Sequence, residues 1–262
     1  MKRIIKYVIV VLVIFSAVFT ASLMGCGSNG CAYSCGIVLN WQTETFTSTS
    51  AVTKIDLDTV AGEFEMEFYE GEHITIEYPT ADRFKYFVKE TNGTVVMDVE
   101  KDPVVAINWS NCPITIIKIP QNLALDIKIE TDAGKIIFAS GNYGKIEVDL
   151  DAGKATFGEI TCSDFNANVN AGKVYAQSVT CNNAYLDADA GSIEVKKMDS
   201  VNLTAQVDMG EIEICMAGAK TEYTIFASVS LGDCNVANQS GNTQKKINLE
   251  VDLGEINVSF TD

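Results

Sequence analysis

The sequence predicts an all-β protein: a parallel, right-handed β-solenoid of about seven coils, each 19–22 residues long, behind an irregular β-rich N-terminal cap. The first observation behind this is a spacing. Gly134, Gly153, Gly172, Gly191, Gly210, Gly232 and Gly254 lie 19, 19, 19, 19, 22 and 22 residues apart. A fixed period near 20 marks units that bury their apolar sides only against their neighbours. The second is the alternation around each glycine. Apolar residues fill the third, fifth and seventh places before nearly every one, as in Ile146, Val148 and Leu150, and the second and fourth places after it, as in Ile193 and Val195. Period-two alternation is a strand signal, and nothing in this stretch has helical spacing.

The third observation is a slip in that alternation. Apolar places are odd before the glycine and even after it, so the strand must turn or bulge there, where a residue without Cβ turns at least steric cost. Each repeat therefore reads as strand, glycine corner, short strand and loose turn. Parallel stacking would put equivalent side chains ~4.8 Å apart, and seven such coils would make a rod about 34 Å long. The right hand follows from the usual sense of parallel crossovers.

In chain order, residues 1–25 read as a signal peptide or N-terminal membrane anchor. Lys2, Arg3 and Lys6 precede an apolar run from Tyr7 to Leu23, the arrangement of a basic region followed by a hydrophobic one. The run ends at Leu23-Met24-Gly25-Cys26, which resembles a bacterial lipobox with Met24 as its departure. Three outcomes stay open: cleavage with lipidation at Cys26, an uncleaved span of ~17 residues at the short end for a membrane helix, or plain secretion. The first two anchor the rest of the chain to the outside of the cell membrane.

Residues 26–50 read as a tether, loop-like at Gly27 to Gly30 and rich in Thr and Ser from Thr43 to Ser50. Cys31 and Cys35 lie in it without a His or second Cys pair to complete a zinc site, which leaves a local disulfide or free thiols. Residues 51–121 read as a β-rich capping segment, closing an edge that would otherwise stay unpaired. Within it Ile55, Leu57, Gly62, Phe64 and Met66 match the repeat template, and Asn92-Gly93 predicts a tight hairpin turn. Pro103, Trp109 and Pro113 mark an irregular loop before the strand from Ile114 to Ile119. The regular repeats then occupy residues 122–262.

With 47% hydrophobic residues, the chain can bury a real core. Its net charge of −16, which loss of Lys2, Arg3 and Lys6 would take to −19, argues against nucleic acid and anionic lipid as partners.

These features resemble a bacterial adhesin-like family of otherwise unknown function, common in membrane-anchored proteins of low-GC Gram-positive bacteria. The resemblance rests on Ala61-Gly62-Glu63-Phe64, the hairpin, the strand running to Pro120, and units such as Asp132-Ala133-Gly134-Lys135-Ile136 and Asp252-Leu253-Gly254-Glu255-Ile256. It covers roughly residues 51 to 262, and it implies a solenoid similar to the head domains of autotransporter adhesins. Function follows only by association.

An enzyme is not expected. His73 is the one histidine, and no base is evident beside a Ser or Cys nucleophile. Solenoid lyases build clefts from long inserted loops, but four successive gaps here hold at 19 residues. The last two gaps gain three residues each, near Cys215 to Thr224 and Ala237 to Lys246, which read as modest turn extensions.

Polar columns are the candidate binding features. Two and four places before the glycines stand mostly acids and amides, among them Asp187, Asp189 and Asp208, read as outward-facing. One place after stand Lys135, Lys154 and Lys173, able to pair with the Asp column across the corner, and then Ser192, Glu211, Asp233 and Glu255. Stacked carboxylates raise one another's pKa or recruit cations. The face is therefore a solvated surface, a weak Ca²⁺ site at Asp187, Asp189 and Asp208, or a surface for a basic partner. No other cofactor is implied.

Cys162 and Cys181, 19 apart, should stack in adjacent coils within disulfide range, as a bond or as two buried thiols. Cys215 and Cys234 read as small hydrophobes at core-facing or corner places. Tyr33, Tyr143 and Tyr175 do not align into a carbohydrate-stacking stripe. The expected role is a membrane-tethered, extracytoplasmic surface interaction or envelope structural module with a cell-surface or envelope ligand. The alternative is the ectodomain of an envelope sensing or regulatory system. A carbohydrate-active enzyme ranks below both.

Overall fold

A computed structural model describes residues 37–100, 107–108 and 111–261. The targeting segment, Cys26, Cys31, Cys35 and Tyr33 lie outside the described residues. Among those described, the strands are β1 (Ile37–Val38), β2 (Gln42–Thr47), β3 (Lys54–Tyr69), β4 (Thr75–Thr80), β5 (Lys85–Thr91), β6 (Thr94–Glu100), β7 (Ile107–Asn108), β8 (Thr115–Pro120) and β9 (Asp126–Phe138). They continue with β10 (Gly141–Asn142), β11 (Lys145–Thr161), β12 (Asp164–Ala188), β13 (Ser192–Val207), β14 (Glu211–Ala217), β15 (Thr224–Val229), β16 (Asp233–Cys234), β17 (Lys246–Val251) and β18 (Glu255–Thr261). One 3-10 turn, Lys220–Glu222, is the only helical element among the described residues.

The predicted parallel solenoid is present. Strands β9, β11, β12 and β13 pair in parallel at an offset of 19 residues, with Gly134, Gly153 and Gly172 opposite one another. Strand β3 joins the same stack with Gly62 opposite Gly134, so the first coil lies inside the segment read as a cap. Eight corners are stacked: Gly62, Gly134, Gly153, Gly172, Gly191, Gly210, Gly254 and Gly232.

Glycine is required at these corners for a reason the sequence did not show. The alternation slip suggested a turn eased by positive φ, yet among the corner glycines only Gly62, Gly153 and Gly172 have it. What the stacked corners share is contact. A Cβ at Gly134, Gly153, Gly172, Gly191 or Gly210 would lie 2.0–2.8 Å from the carbonyl oxygen of the glycine one coil below. Backbones at the corners approach too closely for any side chain, one of the recognised uses of glycine in a strand.

The order of the last coils departs from the sequence order. Strand β17 pairs with β13 on one side and β15 on the other, and β18 likewise separates β14 from β16. The coil around Gly254 thus lies between those around Gly210 and Gly232. The two three-residue extensions have a physical role here. The connection from β14 to β15, through the 3-10 turn, must step over a vacant coil position that β17 and β18 then fill. A turn of the regular length spans one coil spacing, not two.

Both ends of the stack are closed. At the first end β6 and β8 pair in parallel with the two halves of β3, and antiparallel β5, β4 and β2 cover them. The Asn92-Gly93 turn has φ values of 51° and 73°, the positive pair that a tight hairpin needs. Residues 42–47, assigned from composition to the tether, instead form β2 against β4. Three threonines in six residues are strand formers as much as linker residues. At the other end Asn238 Oδ1 accepts the Ala227 amide, and Gln239 bridges Ile225. Asn235 makes paired side-chain bonds with the Val258 backbone, at 2.8 and 3.0 Å. The Asn238 and Asn235 side chains and the Gln239 backbone thus occupy edge groups that would otherwise template further strands.

The core is a set of inward columns running along the axis. Ile55, Ile127, Ile146, Phe165, Ala184 and Leu203 form one, all nearly or fully buried. Volume is balanced between columns. Phe138 and Phe157 stack at 4.5 Å, Phe165 meets Phe157 edge-on at 5.1 Å, and the small Ala167 and Ala176 lie in the same coils. Such alternation of large and small keeps a narrow core close-packed.

Candidate functional site

The outward residues of the strands form polar ladders, and their chemistry changes along the stack. In the middle coils amides alternate with carboxylates. Asn168 Nδ2 donates to Asp149 Oδ1 and Asn170 Nδ2 to Asp151 Oδ1, each at 2.5 Å, and Asn183 Nδ2 donates to Asp164 Oδ1 at 2.8 Å. The sequence suggests that the lysines after the corners pair with the Asp column across them, but Lys135 and Lys173 have glutamate partners on neighbouring strands. Lys135 pairs with Glu63 in the coil below, and Lys173 Nζ reaches Glu194 at 2.6 Å on the next strand.

The candidate calcium residues are neighbours but do not converge. Asp187 lies opposite Gln206, not opposite an acid. The Tyr185 hydroxyl sits 2.6 Å from Gln206 Oε1 and 3.0 Å from Asp187 Oδ2, and Gln206 Nε2 donates to Glu250 Oε2 at 3.1 Å. A glutamine therefore interrupts the carboxylate column. Asp189 is held above the ordinary aspartate range first by partial burial and then by the fields of Asp187 and Asp208, and Asp208 first by partial burial and then by those of Asp187, Asp252 and Glu250. Among the described residues no three His, Cys, Asp or Glu side chains are grouped to hold a metal ion.

Cys162 and Cys181 stack in adjacent coils as predicted, with the Cys162 amide bonded to the Thr180 carbonyl at 3.0 Å. Both are buried and both are free thiols. The Cys181 thiol is pushed up by its contact with Cys162 and by burial. Cys234 is half-buried on the strand paired with Ile256. Cys215, read as core-facing or at a corner, is half-buried on the outward side, because Ile214 and Met216 take the inward places of β14. His73, read as a half-exposed strand residue, is exposed in a bend before β4.

A groove that the sequence did not reveal lies on the outer face of β13, β17 and β15. Its volume is about 250 Å³, and Thr204, Gln206, Phe226, Asn238, Asn248 and Glu250 are among the residues lining it. Registers place Thr204, Asn248 and Phe226 in one outward column, with Tyr185 one coil before Thr204. Tyr185 and Phe226 are thus three coil spacings apart, ~14 Å. The Phe226 ring is 55% exposed. Reading columns in sequence order hides this arrangement, since it needs Asn248 and Glu250 inserted ahead of Phe226 and Ser228.

These features define a parallel β-solenoid whose polar outer columns end in an aromatic-edged groove. The chain belongs to the Toastrack DUF4097 family, whose pattern matches residues 52–262. Among solved structures it is similar to a "putative adhesin" from Bacteroides fragilis at 17% identity, with a TM-score of 0.53, 85% of this chain and 100% of that one covered. It is also similar to a "putative adhesin" from Parabacteroides merdae, at 11% identity, TM-score 0.48 and coverage of 86% and 99%. A "putative lipid binding protein" from Parabacteroides distasonis matches at 13% identity, TM-score 0.42 and coverage of 86% and 99%. No curated protein matches. At such identities the likeness is one of fold. Among the described residues no helix is long and apolar enough to cross a membrane.

Proposed function

We propose that this protein is a non-catalytic, adhesin-like interaction module on the outside of the cell, held at the membrane through its N-terminal segment, and that it binds carbohydrate in the groove beside Phe226. The observation that carries this reading is the groove itself. An exposed aromatic ring offers a flat apolar face, and Asn238, Asn248, Gln206 and Glu250 supply amide and carboxylate partners for hydroxyl groups. A small number of polar groups around an apolar contact is how concave sites fix ligand orientation. The column from Tyr185 to Phe226 gives the length of a short oligosaccharide. Membership of an adhesin-like family and the signal-like N-terminus support the location, and the acidic charge supports a ligand other than nucleic acid.

Binding to a glycan array and to isolated cell-wall polysaccharide tests it. Wild-type protein should retain specific glycans, and Phe226→Ala should lose them while keeping its melting temperature. Equal binding by Phe226→Ala, or no glycan retained by either protein, overturns the reading. For the anchor, Cys26→Ala should move the protein from the membrane fraction to the medium or leave an unprocessed precursor. Unchanged size and membrane retention would instead identify an uncleaved helix.

A further inference from the structure

The residue just before each corner glycine is small in the early coils, at Ala133, Ala152, Ala171 and Ala190, and large and apolar in the last three, at Met209, Leu253 and Leu231. The inserted coil makes these three consecutive along the stack, in that order. The Leu253 amide bonds the Asp208 carbonyl at 2.8 Å and the Leu231 amide bonds the Asp252 carbonyl at 2.9 Å. The side chains are 64%, 53% and 81% exposed. Isolated surface leucines are ordinary, but three in adjacent coils, with Val229 also exposed at the same end, form a contiguous apolar row.

Charge changes in the same coils. The column after the corner runs Lys135, Lys154, Lys173 and Ser192, and then Glu211, Glu255 and Asp233. On the other side of the apolar row stand Asp208 and Asp252, both exposed. The row is therefore bordered by acids on both sides at Met209 and Leu253, and at Leu231 by Asp233 on one side and Ser230, bonded to Asp252, on the other. From this we infer that the row is a docking surface for a cationic amphipathic helix of a protein partner.

Geometry favours that occupant. Apolar residues on one helix face recur about every 5.4 Å, close to the ~4.8 Å step between coils, so a helix laid along the solenoid axis meets Met209, Leu253 and Leu231 in turn. Its flanking lysines or arginines would face Asp208 and Asp252 on one side and Glu211, Glu255 and Asp233 on the other. A second copy of this chain is disfavoured, because a two-fold contact would set these acids against themselves. An anionic membrane is disfavoured for the same reason.

The test measures binding of a synthetic leucine–lysine helical peptide with a narrow apolar stripe, by fluorescence anisotropy. A scrambled peptide of the same composition and a leucine–glutamate version are the controls. Wild-type protein should bind the first peptide, with affinity falling steeply as salt rises, and neither control. Leu231→Ser with Leu253→Ser should weaken binding about tenfold or more, as should Glu211→Gln with Glu255→Gln, which keeps the apolar row intact should the serine variant misfold. Phe226→Ala should bind the peptide normally, which separates this surface from the glycan groove. Equal binding of the scrambled or acidic peptide, or unchanged binding by both double variants, overturns the proposal. So does a dimer, or adsorption to anionic vesicles, that depends on Leu231.

Discussion

Replacing Gly210 with alanine distinguishes two accounts of the corner glycines, because they predict opposite signs. Gly210 is outside the positive-φ set. If backbone conformation alone fixed glycine there, alanine would fit and would stabilise by about 0.4–1 kcal/mol through the unfolded chain. The structure gives another result. A Cβ on Gly210 would lie 2.2 Å from the Gly191 carbonyl oxygen, against an ordinary contact distance of 3.4 Å or more. The obstacle is backbone, and the same carbonyl accepts the Glu211 amide at 3.0 Å. Opening the corner by about 1 Å stretches that bond past usefulness, since N–H···O bonds sit near 2.9–3.0 Å.

Losing one such bond costs about 0.5–1.5 kcal/mol, and overpacking of a tight contact about 1–3 kcal/mol. With the unfolded-state gain subtracted, the net loss is about 2–3 kcal/mol, or roughly 5–10 °C in melting temperature for a domain of this size. Differential scanning calorimetry of Gly210→Ala beside wild type measures it. Gly62→Ala is the companion, with a φ of +134° but no backbone atom against its Cβ. A Gly210→Ala protein that melts at or above wild type would refute the contact account.

Coil order is tested by paired cysteines. Thr204→Cys with Asn248→Cys should form a disulfide, being one spacing apart, whereas Thr204→Cys with Phe226→Cys is two spacings apart, ~9.6 Å, beyond disulfide reach. Stacking in sequence order would reverse these results on a non-reducing gel. The carboxyls of Asp189 and Asp208 are raised on folding, so their ionisation costs stability above the folded pKa, and that cost fades as pH falls through it toward the ordinary value of 3.8. The melting temperature should therefore rise by about 1–3 °C on mild acidification, and Asp189→Asn should raise the neutral value and flatten the rise; a steady fall from neutral pH would contradict this. Because Gln206 interrupts the column, calcium should shift melting no more than sodium chloride at matched ionic strength, and a calcium-specific increase would count against that reading. Buried thiols react slowly, so Cys162 and Cys181 should resist alkylation in the native protein and link to each other under a dithiol-exchange oxidant; rapid native labelling of either would show that the stacked pair is open to solvent.

The fold was legible because its determinants are periodic. The spacing of Gly134 to Gly210 and the alternation around each corner specify parallel coils in register, and Asn92-Gly93 specifies a hairpin by local chemistry alone. What periodicity cannot carry is the order of non-adjacent segments. Gly232 and Gly254 look like the sixth and seventh coils, and only three extra residues in each gap signal that they exchange places. The strand at Gln42–Thr47 escaped for another reason. Its residues have no repeat to match, and their partner on β4 is remote in sequence. The groove was invisible for a combined reason: the other aromatic of the Phe226 repeat, Tyr223, is buried, and the polar partners Asn248 and Glu250 arrive from the segment that follows it.

The departure from sequence order is also what makes the far end of the solenoid chemically distinct. Stacked in sequence order, Phe226 would sit directly on Thr204, and Ser228 on Gln206. Leu231 would follow Met209 with Leu253 beyond it at the outermost edge. Insertion of the Gly254 coil places Asn248 and Glu250 as a polar floor between Thr204 and Phe226. It also puts Leu253 inside the apolar row rather than at its open end. The same insertion leaves β15 and the two-residue β16 outermost, where Asn235 and Asn238 close their neighbours' edges with side-chain bonds and Gln239 with its backbone. A regular stack would be a uniform rod with a sticky end. Breaking the order once yields a capped end that carries two differentiated surfaces, and departures from local regularity of this kind are where function is expected in an otherwise self-consistent sequence.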